Sequence, residues 1–71
     1  MSTDLATIQA AFRVHRALND LILAHAVNAP KERLSAASAA LAVGATYDEV
    51  CDAMGGMSLD AAFMRYARSL R

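Results

Sequence analysis

The apolar residues at the start of the chain recur at helical spacing, and they occupy more of the helix circumference than one core requires. On a helical wheel they fill an arc of roughly 200°, whereas packing against a single core needs a stripe of about 100°. A helix starting near Thr3 or Asp4, whose side chains can cap it, would end near Val27. The apolar residues of this arc are Leu5, Ile8, Ala11, Phe12, Val14, Leu18, Leu21, Ile22, Leu23 and Ala26.

Such a helix would be about 36 Å long at ~1.5 Å per residue, which is more than the shorter helices behind it could cover. Its excess length and its excess apolar surface both indicate a second subunit. We therefore expect residues 1–28 to form a dimerisation helix. The predicted dimer interface consists of Ile8, Phe12, His15, Leu18, Leu21 and Ile22.

Pro30 separates this helix from a second one, predicted over residues 30–43, because proline ends a helix but suits a first helical position. Gly44 supplies its C-terminal stop. Lys31 and Arg33 lie in its first turn, where we expect them to be solvated.

Two short helices are predicted in residues 46–71. Thr46 and Glu49 have the spacing of a capping box, in which each side chain bonds the other residue's backbone amide. The Gly55-Gly56 pair ends that helix, and Ser58 can cap the next. Two helices joined by a tight glycine turn predict a helix-turn-helix unit. The wheel places one apolar stripe of the last helix inward, namely Leu59, Ala62, Phe63, Tyr66 and Leu70.

The segment from Gly44 to Leu70 resembles the helix-turn-helix of small bacterial and phage DNA-binding regulators. The shared pattern is Gly-Ala-Thr-aromatic, Glu-apolar-small, an apolar-Gly turn, then Ser, Ala-Ala and a late Arg-aromatic pair. By this resemblance Thr46 and Tyr47 would contact phosphates. Arg65 and Arg68 would lie near the DNA backbone, and the major groove would be faced by Ser58, Leu59, Asp60, Phe63 and Met64. The apolar stripe instead buries Leu59 and Phe63, so the outward face of the last helix stays open.

Composition strengthens the helical interpretation, since 17 of the 71 residues are alanine and only three are glycine and one proline. We expect one all-α domain of four helices. Cys51 is the only cysteine, which excludes an internal disulfide and favours a reducing compartment. No apolar run of 18 residues and no basic leader are seen, so we expect a cytoplasmic protein without a membrane partner.

Charge weakens the case for DNA binding by a single copy. The net charge of the chain is zero. From Ala45 onward there are three arginines and four carboxylates, so this part has a net charge of −1. Duplex affinity comes largely from phosphate neutralisation, so a binder needs clustered cations. A dimer would double the cluster of Arg65, Arg68 and Arg71, and Arg13, Arg16, Lys31 and Arg33 are further candidates.

Catalysis finds little support. We expect His15 in the core or the interface and Cys51 as a packed residue. His25, at a helix end, is expected either in solvent or facing the helix dipole. No metal-ligand spacing or phosphate-binding glycine loop is present, so we expect no enzyme activity, metal or cofactor.

Two functions follow from this pattern. The one we favour is a homodimeric transcriptional regulator that binds double-stranded DNA, of phage or mobile-element type. The alternative is a small helical protein-binding module, an inhibitor or adaptor, whose partner contacts the methionine and arginine surface of the last helix. Three methionines cluster around the glycine turn and could form an adaptable part of such a surface: Met54, Met57 and Met64.

Overall fold

Four α-helices and no strand make up residues 4–71, the part of the chain described by the structure, which is a computed structural model. The predicted all-α class with four helices and a long first helix is confirmed. Asp4 caps the first helix by accepting a hydrogen bond from the Ala6 amide at 3.2 Å, while Thr3, the other candidate cap, lies outside the described residues. The helices are α1 (Leu5–Ala26), α2 (Pro30–Ala42), α3 (Tyr47–Ala53) and α4 (Leu59–Ser69).

The first three helices end in the same backbone motif. In each, the residue after the C-cap has positive φ. The backbone amide of the next residue donates a hydrogen bond to the carbonyl oxygen five residues before it, as in a Schellman motif. Glycine provides this conformation after α2 and α3, whereas after α1 it is provided by Asn28, with φ +54°. The closing bonds are Ala29 N to Ala24 O at 3.0 Å, Ala45 N to Ala40 O at 2.9 Å and Gly56 N to Cys51 O at 2.9 Å.

Alanine dominates the core. Five of the eight buried apolar residues are alanines, which lets helix axes approach closely but removes little apolar surface from water. Within residues 4–71, only three larger apolar side chains are fully enclosed. The buried apolar residues are Leu21, Ala24, Ala37, Ala40, Ala45, Val50, Met54 and Ala62.

Helix α1 has two apolar faces, of which only one is covered. The covered face packs on the core through Val14, Ala17 and Leu18, and Leu21 is buried within the core. Leu21 was predicted at the dimer interface, but it has no exposed surface left for a second subunit. Leu18, also predicted there, is half-buried and has only part of its surface free. The opposite face is exposed, and residues 5–13 are exposed on every side. These nine residues form an arm about 13 Å long at ~1.5 Å per residue.

The exposed arm makes the molecule elongated. Its principal extents are 53 × 17 × 17 Å and its radius of gyration is 13.4 Å. A compact domain of this length would have a radius of gyration of about 11 Å. The chain therefore places much of its longest helix outside its own core.

Arg33 is buried, which corrects the expectation that it is solvated. Its side chain is 1% exposed, and its Nη2 donates a hydrogen bond of 2.6 Å to Oδ1 of Asn28. Its Nε and Nη1 atoms have no partner within residues 4–71. Burying a guanidinium costs free energy unless its N–H groups are paired, so the bond to Asn28 matters to the fold. Because Asn28 follows α1 and Arg33 lies in α2, this bond joins the two helices at their corner. Arg33 is consequently removed from the surface cations.

Replacing Asn28 tests this corner. Asn28→Ala and Asn28→Gly both remove the Arg33 acceptor, but only alanine is strained at positive φ, by about 1–2 kcal/mol. We expect the free energy of unfolding of Asn28→Ala, measured in urea, to be lower than that of Asn28→Gly by about 1–2 kcal/mol. The glycine variant should lie between the alanine variant and the wild type, and equal stabilities of the two variants would contradict the assigned backbone conformation.

Candidate nucleic-acid interface

The start of α3 is fixed by the predicted capping box. The Thr46 hydroxyl accepts a hydrogen bond from the Glu49 amide at 3.1 Å, and Oε1 of Glu49 accepts one from the Thr46 amide at 2.8 Å. The pKa of Glu49 lies below its ordinary value of 4.5, chiefly because the Thr46 backbone amide donates to it and secondly because of the Thr46 hydroxyl. Both residues are exposed. The first turn of α3 is therefore an ordered, accessible surface.

Tyr47 brings the beginnings of the two short helices together. Its phenol oxygen lies 3.5 Å from the backbone nitrogen of Leu59, the first residue of α4. Ser58 caps α4 by accepting a hydrogen bond from the Ala61 amide at 3.1 Å. The aromatic ring remains half exposed. Three of the residues predicted to contact DNA, Thr46, Tyr47 and Ser58, therefore stand at the starts of α3 and α4.

The glycine turn between α3 and α4 packs against the end of α1. Gly55 has φ +67°, and a Cβ built on it would lie 3.1 Å from Nε2 of His25. This position therefore needs glycine for its conformation and for the space that His25 takes. His25 is half-buried rather than solvated, and its Nδ1 atom is buried without a hydrogen-bond partner in the described part of the chain. The sequence pattern alone did not reveal this contact.

The structure decides which face of α4 is outward. Ala62 is buried and Leu59 and Tyr66 are half-buried, as the apolar stripe predicted. Phe63 and Leu70 are 56% and 69% exposed, so the prediction that they are buried is wrong. The helix packs mainly on α2, and a buried alanine allows only a narrow contact. The exposed residues of α4 are Asp60, Phe63, Met64, Arg65, Arg68 and Ser69, and its C-cap Leu70 is exposed as well.

Arg65 borders a groove beside the glycine turn. The groove lies between the end of α1 and the start of α4, and its walls include His25, Ser58 and Ala61. Arg68 is one helical turn further along and is exposed. These two cations therefore follow the same side of α4 as its N-terminal cap.

Acidic side chains flank this surface. Asp48, Glu49 and Asp52 are all exposed on α3, and Asp60 lies in the first turn of α4. Arg13, Arg16 and Lys31 are exposed as well. The exposed residues of α3 and α4 therefore carry a mixed charge.

Other site types have few residues to build on in the described part of the chain. Cys51 is half-buried, and no group of three or more His, Cys, Asp or Glu side chains could hold a metal ion in residues 4–71. Of the methionines near the turn, Met54 is buried, Met57 half-buried and Met64 52% exposed. No helix of residues 4–71 has the length and apolar character needed to cross a membrane.

Comparisons with protein-family models, with curated proteins and with solved structures gave no match to this chain.

Removing the Thr46 hydroxyl should loosen the start of α3. We expect Thr46→Ala to lower the free energy of unfolding by about 1 kcal/mol, the usual value of a helix cap. It should also raise the Glu49 pKa part of the way to its ordinary value, as read from an NMR titration of the Glu49 side chain. Thr7→Ala, at an exposed threonine inside α1, is the control; it should not lower the free energy of unfolding, because alanine favours a helix more than threonine does, and it should leave the Glu49 pKa unchanged.

The capping box also predicts a pH dependence. A carboxylate whose pKa is lowered by folding stabilises the fold above its unfolded pKa, and this stabilisation is lost as the pH falls through the folded pKa. The unfolding midpoint of the wild type should therefore exceed that of Glu49→Gln at pH 7, and the difference should shrink below pH 4.5. A difference that grows in acid would contradict the assignment.

Proposed function

We propose that this chain is a homodimeric DNA-binding protein that regulates transcription through α3, the glycine turn and α4. The observation that carries the proposal is the outward face of α4. One face of α4 packs on α2 and includes the buried Ala62. The other face follows the N-cap Ser58 and is exposed at Asp60, Met64, Arg65 and Arg68. A recognition helix that enters the major groove needs this division between a packed side and a free side.

Each predicted contact residue has a distinct part in this proposal. The polar side chains at the helix starts, Thr46, Tyr47 and Ser58, would position the unit on phosphates, and Arg65 and Arg68 would neutralise the backbone. Asp60 offers a carboxylate that can accept a hydrogen bond from the amino group of cytosine. Met64 and the neighbouring Phe63 offer apolar contacts for a thymine methyl group. Sequence preference would therefore rest on few hydrogen bonds.

Two copies are part of the proposal because one copy carries too few cations. Arg33 is buried, and the exposed carboxylates of α3 oppose the arginines of α4. A dimer held through the free face of α1 would present two sets of Arg65 and Arg68 to the same duplex. We place this activity in the cytoplasm and, because of the resemblance to small bacterial and phage regulators, in a phage or mobile element.

Salt dependence provides the test. Binding to a random-sequence duplex should weaken steeply as salt rises, because phosphate contacts release counterions. The double variant Arg65→Ala, Arg68→Ala should lower the slope of log K against log salt by about 2 per chain. The control, Arg13→Ala with Arg16→Ala, removes the same charge from α1 and should change the slope less.

Circular dichroism would establish that both double variants remain helical. If the Arg65 and Arg68 variant binds as tightly as the control, the assignment of the DNA-contacting face fails. If the wild type does not bind any duplex at low salt, DNA binding itself is excluded.

A protein-binding module remains the second candidate because of one observation. Phe63 and Met64 of α4 and its C-cap Leu70 are each more than half exposed. Exposed aromatic, methionine and leucine side chains grouped on one helix are typical of a helix-mediated protein interface. In this case α4 would bind a protein groove through its apolar side, in the manner of an inhibitor or adaptor.

A photoreactive amino acid at position 63 separates the two candidates in cells. The protein-binding function predicts a discrete protein adduct at position 63 and none at position 35, an exposed serine of α2. The DNA-binding function predicts an adduct to DNA at position 63. Absence of any protein adduct would exclude the second candidate.

A further inference from the structure

The exposed face of α1 has the spacing of a coiled-coil seam. Its residues are separated alternately by three and four positions, which is the a and d pattern of a heptad repeat. They lie opposite the face that packs on the core through Leu21. The seam consists of Leu5, Ile8, Phe12, His15, Asn19, Ile22 and Ala26, all of them exposed.

The uncovered apolar area is large for one copy of a small chain. Leu5 and Phe12 are 66% and 68% exposed, and Ile8 and Ile22 are 40% and 47% exposed. With Leu23 beside them, at 64%, the exposed area is on the order of 600 Å² per chain, the upper end for a single patch on a monomer. A stable dimer buries about 800 Å² per partner, so the flanking residues of the seam would bring the area to that range.

The polar positions of the seam indicate the orientation of the second copy. In a parallel pair, Asn19 meets Asn19 and His15 meets His15, so each polar layer finds a polar partner. An antiparallel pair that sets Asn19 against His15 would leave Leu5 beyond Ala26, where α1 of the second copy ends. In the antiparallel pair that covers Leu5 with Ile22, Asn19 would face Ile8 and His15 would face Phe12. An amide buried against an aliphatic side chain loses its hydrogen bonds to water without replacement. A single asparagine at an a position is known to fix the register of parallel dimers.

We infer that α1 pairs with α1 of a second copy of this chain as a parallel two-stranded coiled coil, with Asn19 setting the register. This inference deepens the proposed homodimer and rests on it for its role in DNA binding. The parallel orientation places both helix-turn-helix units at the same end of the coiled coil, one on either side of the seam. Both α4 helices can then approach one duplex from the same direction.

Cysteine cross-linking distinguishes the two orientations. In a Cys51→Ser background, Ile8→Cys should form an intermolecular disulfide on mild oxidation, because the two positions coincide in a parallel pair. In the antiparallel pair they would be about 16 Å apart, at ~1.5 Å for each of eleven residues. Thr7→Cys is the control; it is exposed on the other side of the arm and should remain reduced.

A mixture of Leu5→Cys and Ile22→Cys chains tests the opposite arrangement. The parallel pair predicts disulfides within each variant and none between them, as identified by mass spectrometry. A disulfide joining position 5 to position 22, together with no cross-link at position 8, would overturn the inference. No cross-link at any of these positions would overturn it as well, whether sedimentation shows a monomer or a dimer.

Asn19→Leu tests the register in the Ile8→Cys background. Asn19 is exposed in the single chain, so the substitution leaves the fold intact. We expect tighter self-association but a lower yield of the position 8 cross-link, because other alignments become accessible. An unchanged yield would show that Asn19 does not set the register. Since none of these experiments contains DNA, their failure is distinguishable from failure of DNA binding.

Discussion

A core built mainly of alanine is the constraint on which the rest of this structure depends. Alanine allows the helices to pack closely, but burying it contributes less than burying a leucine or a phenylalanine. The chain does carry large apolar side chains, and many of them are outside the core, including Leu5, Phe12 and Phe63. Small domains that lack a sufficient core commonly depend on oligomerisation. The free face of α1 is the surface on which this chain can meet that need.

The proposed DNA-binding unit is held in shape by short-range devices rather than by bulk. A capping box begins α3, Ser58 caps α4, and the Tyr47 phenol lies beside the first residue of α4. The imidazole of His25 fills the space beside Gly55 and so connects α1 to the turn. Through this contact, the helix that would hold the dimer also supports the turn that would approach the duplex.

Local signals in the sequence predicted the local structure well. Thr46 and Glu49, Ser58 and the glycines after α2 and α3 specify backbone hydrogen bonds within a few residues, so their effect does not depend on the rest of the fold. The all-α class follows from the same kind of local preference. Asp60, Met64, Arg65 and Arg68 are exposed on α4.

Long-range packing was harder to predict because it depends on which helices meet. The wheel showed that α1 has excess apolar surface, but it could not tell which residues face the chain's own core, and Leu21 proved to be one of them. Arg33 is charged and near a helix start, which gave no sign that it is buried against Asn28. Phe63 appeared to be a core residue, yet the narrow contact at Ala62 leaves it in solvent.

The most direct test of the account is the dependence of thermal stability on protein concentration. If folding is completed by pairing of α1, the unfolding midpoint measured by circular dichroism should rise as the concentration increases from low to high micromolar, because mass action stabilises a dimer. Sedimentation over the same range should show monomer converting to dimer. A midpoint that does not change, with a well-folded monomer at the highest concentration, would contradict the central claim.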